Sequence, residues 1–230
     1  MSVAGNIEKI EERIQKACAA AGRKREEITL MAVSKFVPVE KMEEAFKAGI
    51  RCFGESRVKE AIAKLEAFKL EHPGLQLHLI GSLQRNKAKA AIGFFDCIQS
   101  VDREELAGEL VKLAPARNVP LDILLELHTG EESKSGFADI DGLVRAAEQV
   151  LSCASLRPRG LMTMAPFSKD EGRIRLSFRQ LVKAQGELAR RFPPAENWDC
   201  LSMGMSNDFE IAIEEGAAML RIGSLIFKEQ

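Results

Sequence analysis

The sequence has 230 residues and no tyrosine. That absence removes one whole type of catalytic acid or base from the chemistry the chain can supply. It also lacks a surplus of charge: 33 Lys plus Arg against 34 Asp plus Glu leave a formal charge of -1. A balance of this kind argues against partners that demand a strong basic field, such as duplex DNA or an anionic membrane. No stretch approaches the roughly 20 apolar residues of a membrane span. The first residues carry mixed charge (Glu8, Lys9, Glu11, Glu12), unlike a signal peptide. There is no Cys-x-x-Cys. Cys18, Cys52, Cys97, Cys153 and Cys200 are odd in number and far apart, so they read as small core hydrophobes in a reduced compartment. His72, His78 and His128 fall in no metal-ligand spacing, and no metal is expected. A cytoplasmic protein without nucleic-acid or membrane partners is the expectation.

Two periodicities alternate along the chain. Val3, Ile7, Ile10, Ile14, Ala17 and Cys18 recur at helical spacing, and residues 28–33 then form a short apolar run, the mark of a strand buried on both faces. The rhythm continues with strands at 50–53 and near 76–80, 96–101, 121–128, 158–164, 199–203 and 218–222, with helices between them. Strand–helix alternation implies a parallel sheet, and eight such units in 230 residues predict one α/β domain over 1–230, a (β/α)8 barrel. All eight prolines fall between the proposed elements or at their ends. Only Leu225 to Gln230 follow the last strand, too few for a closing helix, so the N-terminal helix is expected to cover the gap between strands eight and one. The mixed-sign run Arg23 to Glu27 reads as a solvated loop.

Active sites of such barrels form at the carboxyl ends of the strands. The first strand ends in Val33-Ser34-Lys35-Phe36, and alternation puts Met31, Val33 and Lys35 on one face. Lys35 is either an ordinary solvated lysine or a Schiff-base amine at the barrel mouth. The seventh strand runs into Ser202-Met203-Gly204-Met205-Ser206-Asn207-Asp208, with Ser206 or Asn207 as the N-cap of a following helix; the eighth ends in Arg221-Ile222-Gly223-Ser224. Loops at these two positions are the usual phosphate cradle of the fold. Gly204 and Gly223 would let the backbone approach, while Ser206 and Ser224 would add donors. The alternative is turn glycines and a capped helix. A lysine opposite a phosphate cradle suits a phosphorylated aldehyde. Lys134, beside Glu131 and Glu132, is the rival lysine, but those carboxylates favour its ammonium form.

Ala32-Val33-Ser34-Lys35, Phe53-Gly54-Glu55-Ser56, His78 to Lys87, Glu132 to Gly136, Arg159 to Met164, Leu201 to Ser206 and Arg221 to Ser224 follow one another in an order that resembles the pyridoxal 5′-phosphate (PLP) homeostasis proteins, also called proline synthase co-transcribed homologues. The resemblance covers almost the whole chain. It implies an alanine-racemase-type barrel with PLP as an internal aldimine on Lys35. It also implies cofactor contacts from Ser56, Met205, Ser206, Gly223 and Ser224, with Arg221 facing the pyridine nitrogen. Arginine there should leave that nitrogen unprotonated and the ring a weak electron sink. Two departures stand out: the family usually has Asn at Ser56, and Gln and Asn where Leu125 and Leu127 were placed near the barrel mouth.

A monomeric PLP binder is therefore expected, one that buffers the cofactor or delivers it to apo PLP-dependent enzymes. The alternatives are an amino-acid racemase working slowly with Lys35 as its one base, and a Schiff-base aldolase barrel without PLP. Two-base racemisation is disfavoured because racemases of this fold resemble one another in taking the second base from a tyrosine on an additional domain. The sequence has neither that tyrosine nor the length for the domain.

Overall fold

Short apolar runs become strands and amphipathic stretches become helices in strict alternation. The computed structural model describes residues 2–130, 135–194 and 198–228. After α1 (Val3–Ala20) the order is β1 (Thr29–Val33), α2 (Val39–Lys47), β2 (Cys52–Glu55), α3 (Val58–Glu71), β3 (Gln76–Leu79), α4 (Ala88–Phe94), β4 (Cys97–Val101) and α5 (Glu104–Leu113). It continues with β5 (Leu121–Glu126), α6 (Ile140–Leu151), β6 (Leu156–Met162), α7 (Glu171–Arg191), β7 (Cys200–Ser202), α8 (Phe209–Glu214), β8 (Met219–Ile222) and α9 (Ser224–Phe227). The strands pair in parallel in chain order, and β8 closes onto β1, so the sheet is a barrel without an edge.

The pleat divides every strand between two cores. On β1, Leu30 and Ala32 point outward into the large core beneath the helices, while Met31 points inward to meet Cys52 and Met219. On β5, Leu121, Ile123, Leu125 and Leu127 belong to the outer core, and Leu124 packs inside with Cys97 and Met162. The placement of Leu125 and Leu127 at the barrel mouth is thereby corrected. Alternation sends both toward the helices, and the inward polar residue at the carboxyl end of this strand is Glu126. All five cysteines are free thiols, four buried and Cys200 half-buried.

Helix α1 does close the barrel. Its apolar stripe is buried, it packs against α8, α9 and α2, and the Asn6 amide donates to the carbonyls of Ile226 (3.0 Å) and Lys228 (3.4 Å). Asn6 thus satisfies the end of α9, a helix too short to shield the seam itself.

Two expectations are revised. Pro158 lies inside β6 rather than at its end; it is tolerated because the β5–β6 register shifts beside its partner Ile123. Gly160 follows at φ +147, where a Cβ would come within 2.0 Å of the Cys200 carbonyl oxygen, so the approach of β6 to β7 requires glycine. Arg23 to Glu27 is not a merely solvated loop. Arg23 donates to the Ile213 (3.1 Å) and Ala217 (2.6 Å) carbonyls, and Arg25 forks onto Glu11 of α1, so two half-buried arginines rivet the helix to the barrel.

Replacing Asn6 with alanine leaves the buried Ile226 carbonyl without its donor. Urea unfolding of Asn6→Ala should show a loss of about 1–3 kcal/mol with an unchanged denaturant slope. A variant as stable as the parent would mean that this bond does not hold the helix.

Candidate functional site

The turn after β1 is built to present Lys35. Ser34 is buried and its Oγ donates to Glu55 Oε1 (2.7 Å). Lys64, reaching in from α3, donates its Nζ to Glu55 (2.6 Å) and to the carbonyls of Ser34 (2.9 Å) and Val37 (3.2 Å). The ammonium therefore grips the turn on both sides of Lys35 and Phe36. Phe36 needs that grip: it has φ +64, a conformation that costs an L-residue roughly 1–2 kcal/mol, and its ring is 75% exposed. Arg57 lies over the ring, 5.5 Å from its centroid.

Lys35 is exposed and shares a cleft of about 560 Å³ with Gly223 and Ser224 from the opposite side of the β1–β8 seam. Val33, Pro38 and Phe227 form apolar walls, and Lys41 and Lys228 complete the rim. Among the described residues, three lysines and no carboxylate line this space. Ser224 Oγ lies 3.0 Å from Ser206 Oγ, which joins the β7 and β8 loops into one hydroxyl pair. A Cβ on Gly223 would stand 3.1 Å from the Val33 carbonyl oxygen, so glycine keeps the two strand ends close.

Other sequence-derived assignments change. The helix after β7 begins at Phe209 with Asp208 as its N-cap residue, not Ser206 or Asn207. The Asp208 carboxylate turns back to accept the Met205 amide (2.5 Å), and this contact shapes the Met205–Ser206 turn. Gly204, at φ +91, is required by packing: a Cβ there would stand 2.6 Å from the Ala212 Cβ. Ser56 does not join the Lys35 cleft; it lines a separate cavity of about 400 Å³ with Arg57, Lys59 and Lys87. Lys134 lies outside the described residues.

Arg221 sits inside the barrel, 4% exposed. Its Nη2 donates to the Thr163 carbonyl (2.7 Å) and its Nη1 to Ser202 Oγ (2.7 Å). Because a guanidinium only donates, Ser202 must send its own proton to Gln99 Oε1 (2.7 Å). The Gln99 amide then donates Nε2–H to His78 Nδ1 (2.8 Å), which places the imidazole proton on Nε2. A one-way donor chain thus runs through the barrel from β8 to β3. Burial pushes the Arg221 guanidinium down to about 10 and His78 to about 4, so at neutral pH the arginine is charged and the histidine neutral. His78 is accordingly a neutral histidine held through Nδ1. Among the described residues no cluster of His, Cys, Asp or Glu could hold a metal.

Sequence patterning singles out neither Glu126, Gln99 nor Lys64, and it gives Ser202 and Glu55 no role beyond their place in a motif. Only Glu126 and Glu55, carboxylates at the ends of otherwise apolar strands, carried a signal. Glu126 is 2% exposed and accepts from Ser135 Oγ (3.0 Å); burial raises its carboxyl from 4.5 to about 7, against the opposing pull of Ser135 and Arg221.

Between pH 4.5 and 7 the folded chain keeps a proton on Glu126 that the unfolded chain releases, so this group's contribution to stability falls as pH rises through that window. His78 contributes in the opposite sense, because the unfolded chain binds the proton there between 6.5 and about 4. Glu126→Gln removes the first effect alone. The stability of the variant relative to the parent should therefore improve by roughly 3 kcal/mol from pH 4.5 to pH 7.5, measured by urea denaturation. A difference independent of pH would place the proton elsewhere.

Comparisons with known proteins agree with this geometry. Residues 6–230 match the family described as alanine racemase, N-terminal domain. A protein of Aquifex aeolicus called pyridoxal phosphate homeostasis protein is 40% identical over 100% of this chain and 99% of its own length. The structure of PipY from Synechococcus elongatus PCC7942 with PLP bound superposes with a TM-score of 0.81 at 35% identity, covering 94% of this chain and 100% of PipY. The alanine racemase of E. faecalis, 19% identical with a TM-score of 0.72, shares the fold over 100% of this chain and 59% of its own. A closed parallel barrel with its strand-end lysine facing a glycine–serine loop thus has its place among known proteins: the chain belongs to the alanine racemase N-terminal domain family.

Proposed function

We propose that the chain is a pyridoxal 5′-phosphate-binding protein that keeps the cofactor available in the cell, buffering it or handing it to apo PLP-dependent enzymes. The observation that carries this reading is the pairing in one cleft of Lys35 with the Gly223–Ser224 loop, in a chain 40% identical to a pyridoxal phosphate homeostasis protein. The donor set fits the group. Three lysines, with no carboxylate among the described lining residues, suit a phosphate dianion, the Ser206–Ser224 hydroxyl pair offers an O–H donor, and apolar walls flank the space a pyridine ring would need.

When bound, PLP supplies an aldehyde for covalent attachment and a ring that withdraws electrons from attached amines. Lys35 would make the covalent link, and the Lys64–Glu55 clamp holds its turn in place. Ser206, Gly223 and Ser224 would hold the phosphate, with Met205 shaping that loop through Asp208. Arg221 is held by Ser202 and Thr163 and can only donate, so a ring nitrogen set against it would stay unprotonated and withdraw electrons weakly. This chemistry favours holding over turnover. The chain also supplies no tyrosine as a second base for racemisation. We further propose that the protein works as a monomer in the cytoplasm.

Adding PLP to the purified chain should turn it yellow, and borohydride should fix the cofactor on the peptide containing Lys35. Lys35→Ala should remain colourless. A parent that stays colourless would remove this reading. Incubation with L-alanine should yield no D-alanine beyond a slow trace, whereas turnovers of many per second would replace the carrier with a racemase. Restoration of an apo PLP enzyme should run faster with the loaded parent than with Lys35→Ala plus the same total PLP.

A further inference from the structure

The barrel has a second opening, at the amino ends of the strands. A cavity of about 550 Å³ lies there, entered past Thr29, Gln76 and Ala218 and floored by His78, Gln99 and Cys97. This is the end of the barrel opposite Lys35, in a fold whose amino-terminal face ordinarily contributes stability rather than chemistry. The cavity is nonetheless within the size range of small-molecule sites.

Most of its charges are spoken for. Asp96 accepts from Lys69 and the Leu77 amide, Asp122 pairs with Arg157, and Arg23 is held by Glu27 and two carbonyls. Two charged lining residues are not. Arg159 is half-buried and Asp199 exposed, and neither makes a hydrogen bond or ion pair among the described residues. A third group is more telling. His78 is 93% buried, its Nδ1 is occupied by Gln99, and the donor chain from Arg221 leaves its proton on Nε2. Nε2 has no protein partner, yet no fully buried side-chain nitrogen or oxygen among the described residues is unsatisfied. The Nε2–H must therefore open into the cavity that His78 lines.

The cavity offers an acceptor-seeking N–H at its floor and, side by side at its rim where β6 meets β7, the Arg159 guanidinium and the Asp199 carboxylate. We propose that the amino-terminal mouth of the barrel binds a free α-amino acid. The carboxylate is held by Arg159 and the Nε2–H of His78, and the ammonium group faces Asp199. A lone anion would set its charge beside Asp199 and a lone cation beside Arg159, so a zwitterion matches the lining best. The side chain of the amino acid would lie along the neutral wall of Cys97, Cys200 and Leu124. This site is independent of the cofactor cleft.

The test uses the full-length chain carrying Lys35→Ala and prepared without PLP, so that no amino acid can combine with the cofactor. Calorimetric titration with the twenty standard L-amino acids, one at a time, should find at least one that binds with one site per chain. Acetate and methylammonium, each carrying a single charge, should bind about tenfold more weakly or worse. Arg159→Gln and Asp199→Asn, both at the rim and checked for unchanged melting temperature, should each weaken that amino acid by about tenfold. The proposal is overturned if no amino acid binds up to about 10 mM, if acetate binds as well as the best amino acid, or if both variants bind like their parent. A chain that failed to take up PLP would leave these titrations unaffected, so the two readings fail separately.

Discussion

A guanidinium sealed inside a barrel must find acceptors for its protons, because an unpaired buried charge costs several kcal/mol. Arg221 finds them in Thr163 on the loop after β6 and in Ser202 on β7, and from Ser202 the demand passes to Gln99 on β4 and His78 on β3. One donor-only residue thereby settles the amide orientation of a glutamine and the tautomer of a histidine on the far side of the barrel. Asp208 and, once ionised, Glu126 supply negative potential from two further directions, which is why burial lowers the arginine only to about 10 and leaves it charged at neutral pH. The interior is thus polar along one line and apolar around it, with Met31, Cys52, Met219, Leu124 and Met162 filling the remainder.

The two ends of this line differ in character. At the carboxyl ends of the strands, three lysines and a serine line the cleft, and the turn bearing Lys35 is clamped by Lys64 from α3. At the amino ends, charges of both signs surround a histidine N–H. Closure of the barrel keeps these ends apart, and closure depends on α1. That helix precedes β1 in the chain but does the work of an eighth outer helix, fastened by Asn6 and by Arg25 on Glu11.

The alternation of periods 2 and 3.6 made the barrel legible, since each element buries a full face or stripe and its apolar residues must recur accordingly. The same patterning identified α1 as the closing helix. It was less informative inside the strands. Leu125 and Leu127 looked like mouth residues because facing depends on register, and only the pairing with β4 and β6 shows that Glu126 is the inward one. The start of α8 was misplaced for a related reason: Ser206 and Asn207 carry good capping side chains, but Asp208 takes the Met205 amide and shifts the boundary.

What the sequence determined by itself was the fold, the strand-end lysine, the glycine–serine loop opposite it and the lack of a tyrosine, because each follows from residue type and spacing along one chain. What only the tertiary structure decided was which groups meet. Lys64 and Ser34 are 30 residues apart, Arg221 and Thr163 58, and Ser202 and Gln99 103. Separations of that size leave no periodic trace, since hydrogen bonds between strands depend on register and closure rather than on local pattern.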